Sequence, residues 1–213
     1  MLAEDIDSVE EEKDLGVIFQ QDLKFSNHIA TKVNKANSML SLIVRTFQFI
    51  EQDSFILLYK SIVRPNVEYG NTVWYPQLRR DIESVERIQR RATRQIPQLK
   101  DLTYIERLKK LELPTLAHRR RRGDMLQTYK ILHKLEDIPS ERFFTISSNQ
   151  TTRGHNFKLE KPRCRTSLRL QHFSQRIIND WNALPSYVVN AKDVNDFKSK
   201  LDKHWNHEVM YEY

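Results

Sequence analysis

Between Ser26 and Phe47 the apolar residues Ile29, Val33, Ala36, Leu40, Ile43 and Phe47 recur at intervals of 4, 3, 4, 3 and 4. That period places them on one face of a long amphipathic helix, with Ser26 or Asn27 as its expected N-cap. A chain led by such a helix needs other helices to cover the stripe, and the rest of the sequence offers them. Asp53-Ser54 opens a second helix with Phe55, Leu58 and Ile62 inward, ended or kinked at Pro65. A third is predicted over 81–96, with Ile82, Val85, Ala92 and Ile96 apolar and Gln89 interrupting the face, and Pro97 stopping it. A short helix at 103–112 buries Ile105, Leu108 and Leu111. Pro114 then starts another at 115–135, with Leu116, Leu126, Tyr129 and Leu132 inward.

Before the long helix the start reads as a strand or two, with Leu15–Phe19 the apolar stretch, which needs neighbours to pair with. After Pro139 the texture loosens. Residues 147–152 have loop composition, and 156–161 with 165–171 alternate as a small β-hairpin would. Two helices close the chain at 172–183 and 193–206, with Phe173, Ile177, Trp181 and Leu184, then Val194, Phe197, Leu201 and Trp205, turned inward. The expected fold is mainly α. Its expected divisions are 1–25, a helical domain over 26–138, and a C-terminal part over 139–213.

Charge narrows the function. The net charge of +7 on 213 residues divides into −6 over residues 1–15 and +13 over the remainder. Residues 79–122 hold 14 Lys and Arg against 6 Asp and Glu. Such concentration fits a nucleic-acid partner. Arg87, Arg90, Arg91 and Arg94 stand at i, i+3, i+4 and i+7, so one helical face is nearly all guanidinium. Arg119, Arg120, Arg121 and Arg122, with Lys130 beyond them, form a second basic group. Either could hold phosphates, which positions nucleic acid without reading its sequence. Alternatively, such arginines lay their stems along the core and pair with Glu83, Glu86, Glu106 or Asp124. Tyr69, Trp74 and Tyr75 read as core more readily than as a platform for stacking bases.

Catalytic chemistry finds no footing. Four isolated glycines make no phosphate loop, and no Gly-x-Ser-x-Gly elbow occurs. The lone Cys164 has no base placed beside it. His204, His207 and Glu208 lack the further ligands a metal site needs. The one dense acidic cluster, Glu10-Glu11-Glu12 with Asp14, sits in an acidic terminal stretch rather than in a two-metal arrangement. No cofactor and no small-molecule substrate are expected. No apolar run nears the length that spans a bilayer, and the acidic first residues do not read as a secretory leader, so an intracellular protein is expected.

Several motifs taken together resemble the end of a non-LTR retrotransposon reverse transcriptase, most strongly of the Jockey-like and chicken-repeat-like clades. They are Glu12-Lys13-Asp14-Leu15-Gly16-Val17 with Asp22-Leu23-Lys24-Phe25-Ser26-x-His28-Ile29, and Leu58-Tyr59-Lys60-Ser61-Ile62-Val63-Arg64-Pro65 with Glu68-Tyr69, Trp74 and Pro76. Ile82-Glu83-x-x-Glu86-Arg87-Ile88-Gln89-Arg90-Arg91-Ala92-Thr93 and Tyr104-x-Glu106-Arg107-Leu108 continue the match. So do Arg119-Arg120-x-Arg122-Gly123-Asp124-Met125, Tyr129-Lys130-Ile131, Thr152-Arg153-Gly154-His155 and Trp181-Asn182-x-Leu184-Pro185. The resemblance covers about residues 10–205. It implies the last palm strand, a helical thumb and a C-terminal extension, which hold RNA or an RNA–DNA template–primer by backbone contacts. The family's catalytic Tyr-x-Asp-Asp occurs nowhere in the 213 residues, so no polymerase activity is expected of this chain. The resemblance also implies that the strand at 15–19 pairs with palm strands absent here, which would leave an open edge. The alternative is a helical scaffold protein that binds acidic partners.

Overall fold

In the computed structural model, which describes residues 9–47, 49–147, 154–209 and 211 (the side chains of 206–209 excepted), the long stripe becomes α1, Ser26–Thr46. Ile29, Ala36, Leu40 and Ile43 are buried along it, whereas Phe47 lies just past the helix end and is exposed. Glu4, Asp5, Asp7, residues 148–153 and the side chains of His207 and Glu208 fall outside the described residues. The mainly α class is as expected. Two compact units, 1–88 and 89–213, make up the chain. Their boundary lies within the span 26–138 read as one domain from sequence.

In the first unit the strand or two expected at the start form a hairpin. Strands β1, Glu11–Asp14, and β2, Val17–Gln20, pair antiparallel in the register Glu11 to Gln20 through Asp14 to Val17. Leu15 and Gly16 are the turn itself, with φ of 44° and 82°. Two positive φ values match the right-handed strand twist in a two-residue hairpin. Among the described residues the strand therefore finds its partner in the charged residues just before it. Neither Ser26 nor Asn27 caps α1; Phe25 occupies the cap position with φ 61°. The Asn27 N–H is satisfied by Gln20 Oε1 at 2.9 Å, and Ser26 Oγ donates to Asp81 Oδ2 at 2.8 Å.

Pro65 neither ends nor kinks the second helix abruptly. Helix α2, Gln52–Leu58, widens into a π-turn at Tyr59–Val63 and then tightens to a 3₁₀ turn at Arg64–Val67 that seats Pro65 in its first turn. The wide turn shifts the buried face. Phe55, Ile56, Tyr59, Val63 and Val67 are inward, while Ile62, expected inward, is exposed. Trp74 is fully buried and its Nε1 donates to the Tyr69 carbonyl at 2.6 Å, so this aromatic belongs to the core.

Helix α3, Arg79–Thr93, spans the boundary between the units. In the second unit a 3₁₀ turn at Pro97–Leu99 leads to α4, Tyr104–Lys110. Thr103 and Glu106 cap α4 reciprocally: the Glu106 N–H reaches Thr103 Oγ1 and the Thr103 N–H reaches Glu106 Oε2. Tyr104, Leu108 and Leu111 are buried, and Ile105 is only partly so. Helix α5, Leu116–Leu132, begins at an N-cap Thr115, which puts Pro114 outside the helix and not in its first turn.

The hairpin expected over 156–171 does not form. Leu159 makes a single antiparallel bridge to Ile146, and Ser167–Gln171 is a helical turn, α6, capped by Thr166. The first expected terminal helix is broken into α7, Phe173–Arg176, and α8, Ile178–Asn182, followed by α9, Ser186–Val189. Helix α10, Val194–Val209, closes the chain. Phe173, Ile177, Trp181, Leu184, Phe197, Leu201 and Trp205 join Met125, Tyr129 and Leu132 of α5 in one buried cluster. The segments Gly154-His155 and Trp181-Asn182, both part of the family resemblance, meet here. His155 Nδ1 accepts the Phe157 N–H at 3.2 Å, which leaves Nε2 to donate to the Trp181 carbonyl at 3.2 Å. Trp181 Nε1 donates to the Phe157 carbonyl at 2.8 Å, and Asn182 both donates to and accepts from the Leu159 backbone as a neighbouring strand would.

Candidate nucleic-acid interface

The two basic groups have different surroundings. On α3, Val85, Ile88 and Ala92 are buried, and so is Gln89, the polar break in that face. Gln89 Nε2 is satisfied by donating to Tyr104 Oη at 3.1 Å and to the Pro114 carbonyl at 2.9 Å. With that face held inward, the helical period turns Arg87, Arg90 and Arg91 to solvent, and Arg94 follows in the turn; all four are exposed. Arg90 lies over the Tyr104 ring, its guanidinium carbon 5.1 Å from the centroid. Below this face is a fifth arginine, Arg107, which is buried. Its Nε donates to Thr93 Oγ1 at 3.1 Å and its Nη1 to the Leu102 carbonyl at 2.6 Å. Burial lowers the Arg107 pKa, and the like charges of Arg94 and Arg90 lower it further while Tyr104 opposes them. The end of α3 is thus a region of concentrated positive potential, placed where a helix C-terminus favours cations.

The arginines of α5 have mostly inward duties. Four consecutive residues, each turned about 100° from the last, cannot share a face. Arg120 is buried and Arg119 partly so. Arg121 grips Asp180 with both ends of its fork, Nε to Oδ2 at 2.6 Å and Nη2 to Oδ1 at 2.8 Å, and stacks over Trp205 at 4.9 Å. Arg122 makes the same bidentate contact with Asp202, at 2.6 and 2.8 Å. Lys130 Nζ lies 3.0 Å from Glu136 Oε1. These contacts tie α5 to α8, to α10 and to the turn that follows α5. Of the partners expected from sequence, Glu83 pairs with Arg79, Glu106 lies in its cap, Asp124 holds Arg176, and Glu86 is buried within α3. No local pattern marks Asp180 and Asp202 as the acceptors, since they lie 59 and 80 residues from their arginines. The cap at Thr103, by contrast, is written locally as Thr-x-x-Glu.

Among the described residues no three His, Cys, Asp or Glu side chains gather as a metal site would require. No described helix is long and apolar enough to cross a membrane. Comparison of the chain with models of known families, with curated proteins and with solved structures finds no match in any of the three.

Proposed function

We propose that the chain is the thumb and C-terminal part of a non-LTR retrotransposon reverse transcriptase, and that it holds RNA or an RNA–DNA hybrid through its phosphates without polymerase chemistry of its own. The carrying observation is the solvent-facing arginine row Arg87, Arg90, Arg91 and Arg94, backed by the buried cation Arg107. The motifs that resemble the family support the reading independently of charge. Lys130 and Arg119–Arg122 are not assigned to the interface in this reading, because carboxylates already hold Arg121, Arg122 and Lys130.

The test is a titration of labelled RNA–DNA hybrid at low and raised salt, for the wild type and for R87E/R90E/R91E/R94E. Binding should weaken with salt, and the charge reversal should remove most of it. Every phosphate that a variant no longer neutralises flattens the log–log salt slope by about 0.9 on a duplex. Undetectable binding, or binding indifferent to salt, overturns the reading. An acidic protein that displaces the hybrid at equal charge favours the scaffold alternative.

A further inference from the structure

The segment Lys158–Arg169 carries Lys158, Lys161, Arg163, Arg165 and Arg169 against Glu160 alone. None of these cations belongs to the basic groups described above. From Glu160 to Cys164 the backbone is neither helix nor strand, and Arg165-Thr166 bends into α6. Lys161, Arg163, Arg165 and Arg169 are all exposed, and none has an acidic partner among the described residues. This contrasts with Arg121, Arg122 and Arg176 of the same unit, each of which is fastened to an aspartate. The segment is also anchored. Cys164, partly buried between Arg163 and Arg165, makes long thiol contacts of 3.6 Å with the Pro162 carbonyl and Gln175 Oε1, and Gln175 is itself buried. Pro162 has no N–H to offer a pairing strand, so its edge is poorly suited to sheet formation.

We infer that Lys161, Arg163 and Arg165, with Arg169 beyond them, form a second contact line for the sugar–phosphate backbone of a single-stranded stretch of nucleic acid. The inference rests on the nucleic-acid reading above and adds a site to it. Residues two apart in a chain can lie at most about 6.7 Å apart, a reach comparable to the spacing of successive phosphates on one strand. Guanidinium groups match phosphate oxygens in pairs. No aromatic side chain occurs between Lys158 and Arg169, so stacking on bases is absent from this line and binding is indifferent to sequence.

Cys164 is the protein's only cysteine, which makes its alkylation a reporter for this segment alone. The experiment measures the rate of Cys164 alkylation by iodoacetamide with and without unstructured oligouridylate, beside oligouridylate affinity across a salt series. The proteins are the full-length wild type, K161E/R163E/R165E, the milder K161Q/R163Q/R165Q, and R87E/R90E/R91E/R94E, each checked for folding by its thermal melt. The expected result is alkylation slowed several-fold by RNA in the wild type and a salt slope flatter by about 2 in both loop variants. RNA binding that leaves Cys164 alkylation and the loop variants' slopes unchanged overturns this inference and leaves the α3 reading standing. Protection of Cys164 that survives in R87E/R90E/R91E/R94E upholds the inference, because the loop then holds RNA without help from α3. No RNA binding by the wild type overturns both. Equal protection by vesicles of anionic lipid, which half-exposed Leu168 and Leu170 would assist, or by an acidic peptide, overturns nucleic acid as the partner.

Discussion

Asp124 of α5 and Arg176 at the end of α7 meet across 52 residues of sequence, with Nε to Oδ2 and Nη2 to Oδ1 both at 2.8 Å. Both side chains are almost wholly removed from solvent. Burial raises the Asp124 pKa, and the hydrogen bonds and charge of Arg176 oppose that rise. Arg176 Nη1 is further satisfied by the Gln171 carbonyl at 2.9 Å. Removing one partner strands a buried charge. Asp124→Ala should therefore cost about 3–5 kcal/mol in urea unfolding. The paired replacement D124L/R176M should cost less than that single change, because no charge is left unpaired. A loss below about 1 kcal/mol for Asp124→Ala would mean the pair is not buried in solution.

The hairpin is tied to α1 by a histidine. His28 Nδ1 accepts the Ile18 N–H at 3.1 Å, and the fully buried ring lies 5.3 Å from Trp74. Desolvation, with the charge of Lys32 as a lesser cause, lowers its pKa from 6.5 to about 4. Between these values the unfolded chain binds a proton that the folded chain refuses. Its contribution to stability is therefore complete above pH 6.5 and is lost as pH falls towards about 4. The loss is on the order of 3 kcal/mol at 1.36 kcal/mol per pH unit. Burial moves His133, His155 and His172 in the same direction, so the second unit shares the trend. Urea unfolding across this range should show falling stability, and His28→Asn, which keeps an acceptor and cannot titrate, should flatten the profile. Stability that rises on acidification would contradict the assignment.

Leu15 is 82% exposed and holds a left-handed backbone conformation that its side chain disfavours. The Tyr69 hydroxyl donates to the Leu15 carbonyl at 2.9 Å, a contact that any residue at position 15 retains. Leu15→Asn supplies the Asn-Gly pair that two-residue hairpins prefer. It should stabilise the protein by about 1 kcal/mol, read as a higher thermal midpoint.

Arg121 and Arg122 should behave as fasteners. Their ion pairs are partly exposed, Arg121 more than Arg122, so Arg121→Gln and Arg122→Gln should each cost no more than about 1 kcal/mol. Neither should alter the salt slope of hybrid binding. A flattened slope in either variant would return α5 to the interface.

Helices α1, α2, α3, α4, α5 and α10, and the apolar faces of α1 and α10, were legible in the sequence, because each follows from a period of 3.6 within a few turns. The Leu15-Gly16 turn was harder to read, since a leucine rarely takes positive φ and the charged residues before it carry no apolar alternation. At residues 167–171 local capping by Thr166 prevailed over an apparent alternation, and at Tyr59–Val63 a widened turn moved the buried face by a residue. Which aspartate fastens which arginine was beyond local reading. Asp124, Asp180 and Asp202 reach their arginines only when α5 packs against α7, α8 and α10. Periodicity acts over neighbours in sequence and is carried by the chain itself, whereas an ion pair depends on distances that exist only after the core has closed.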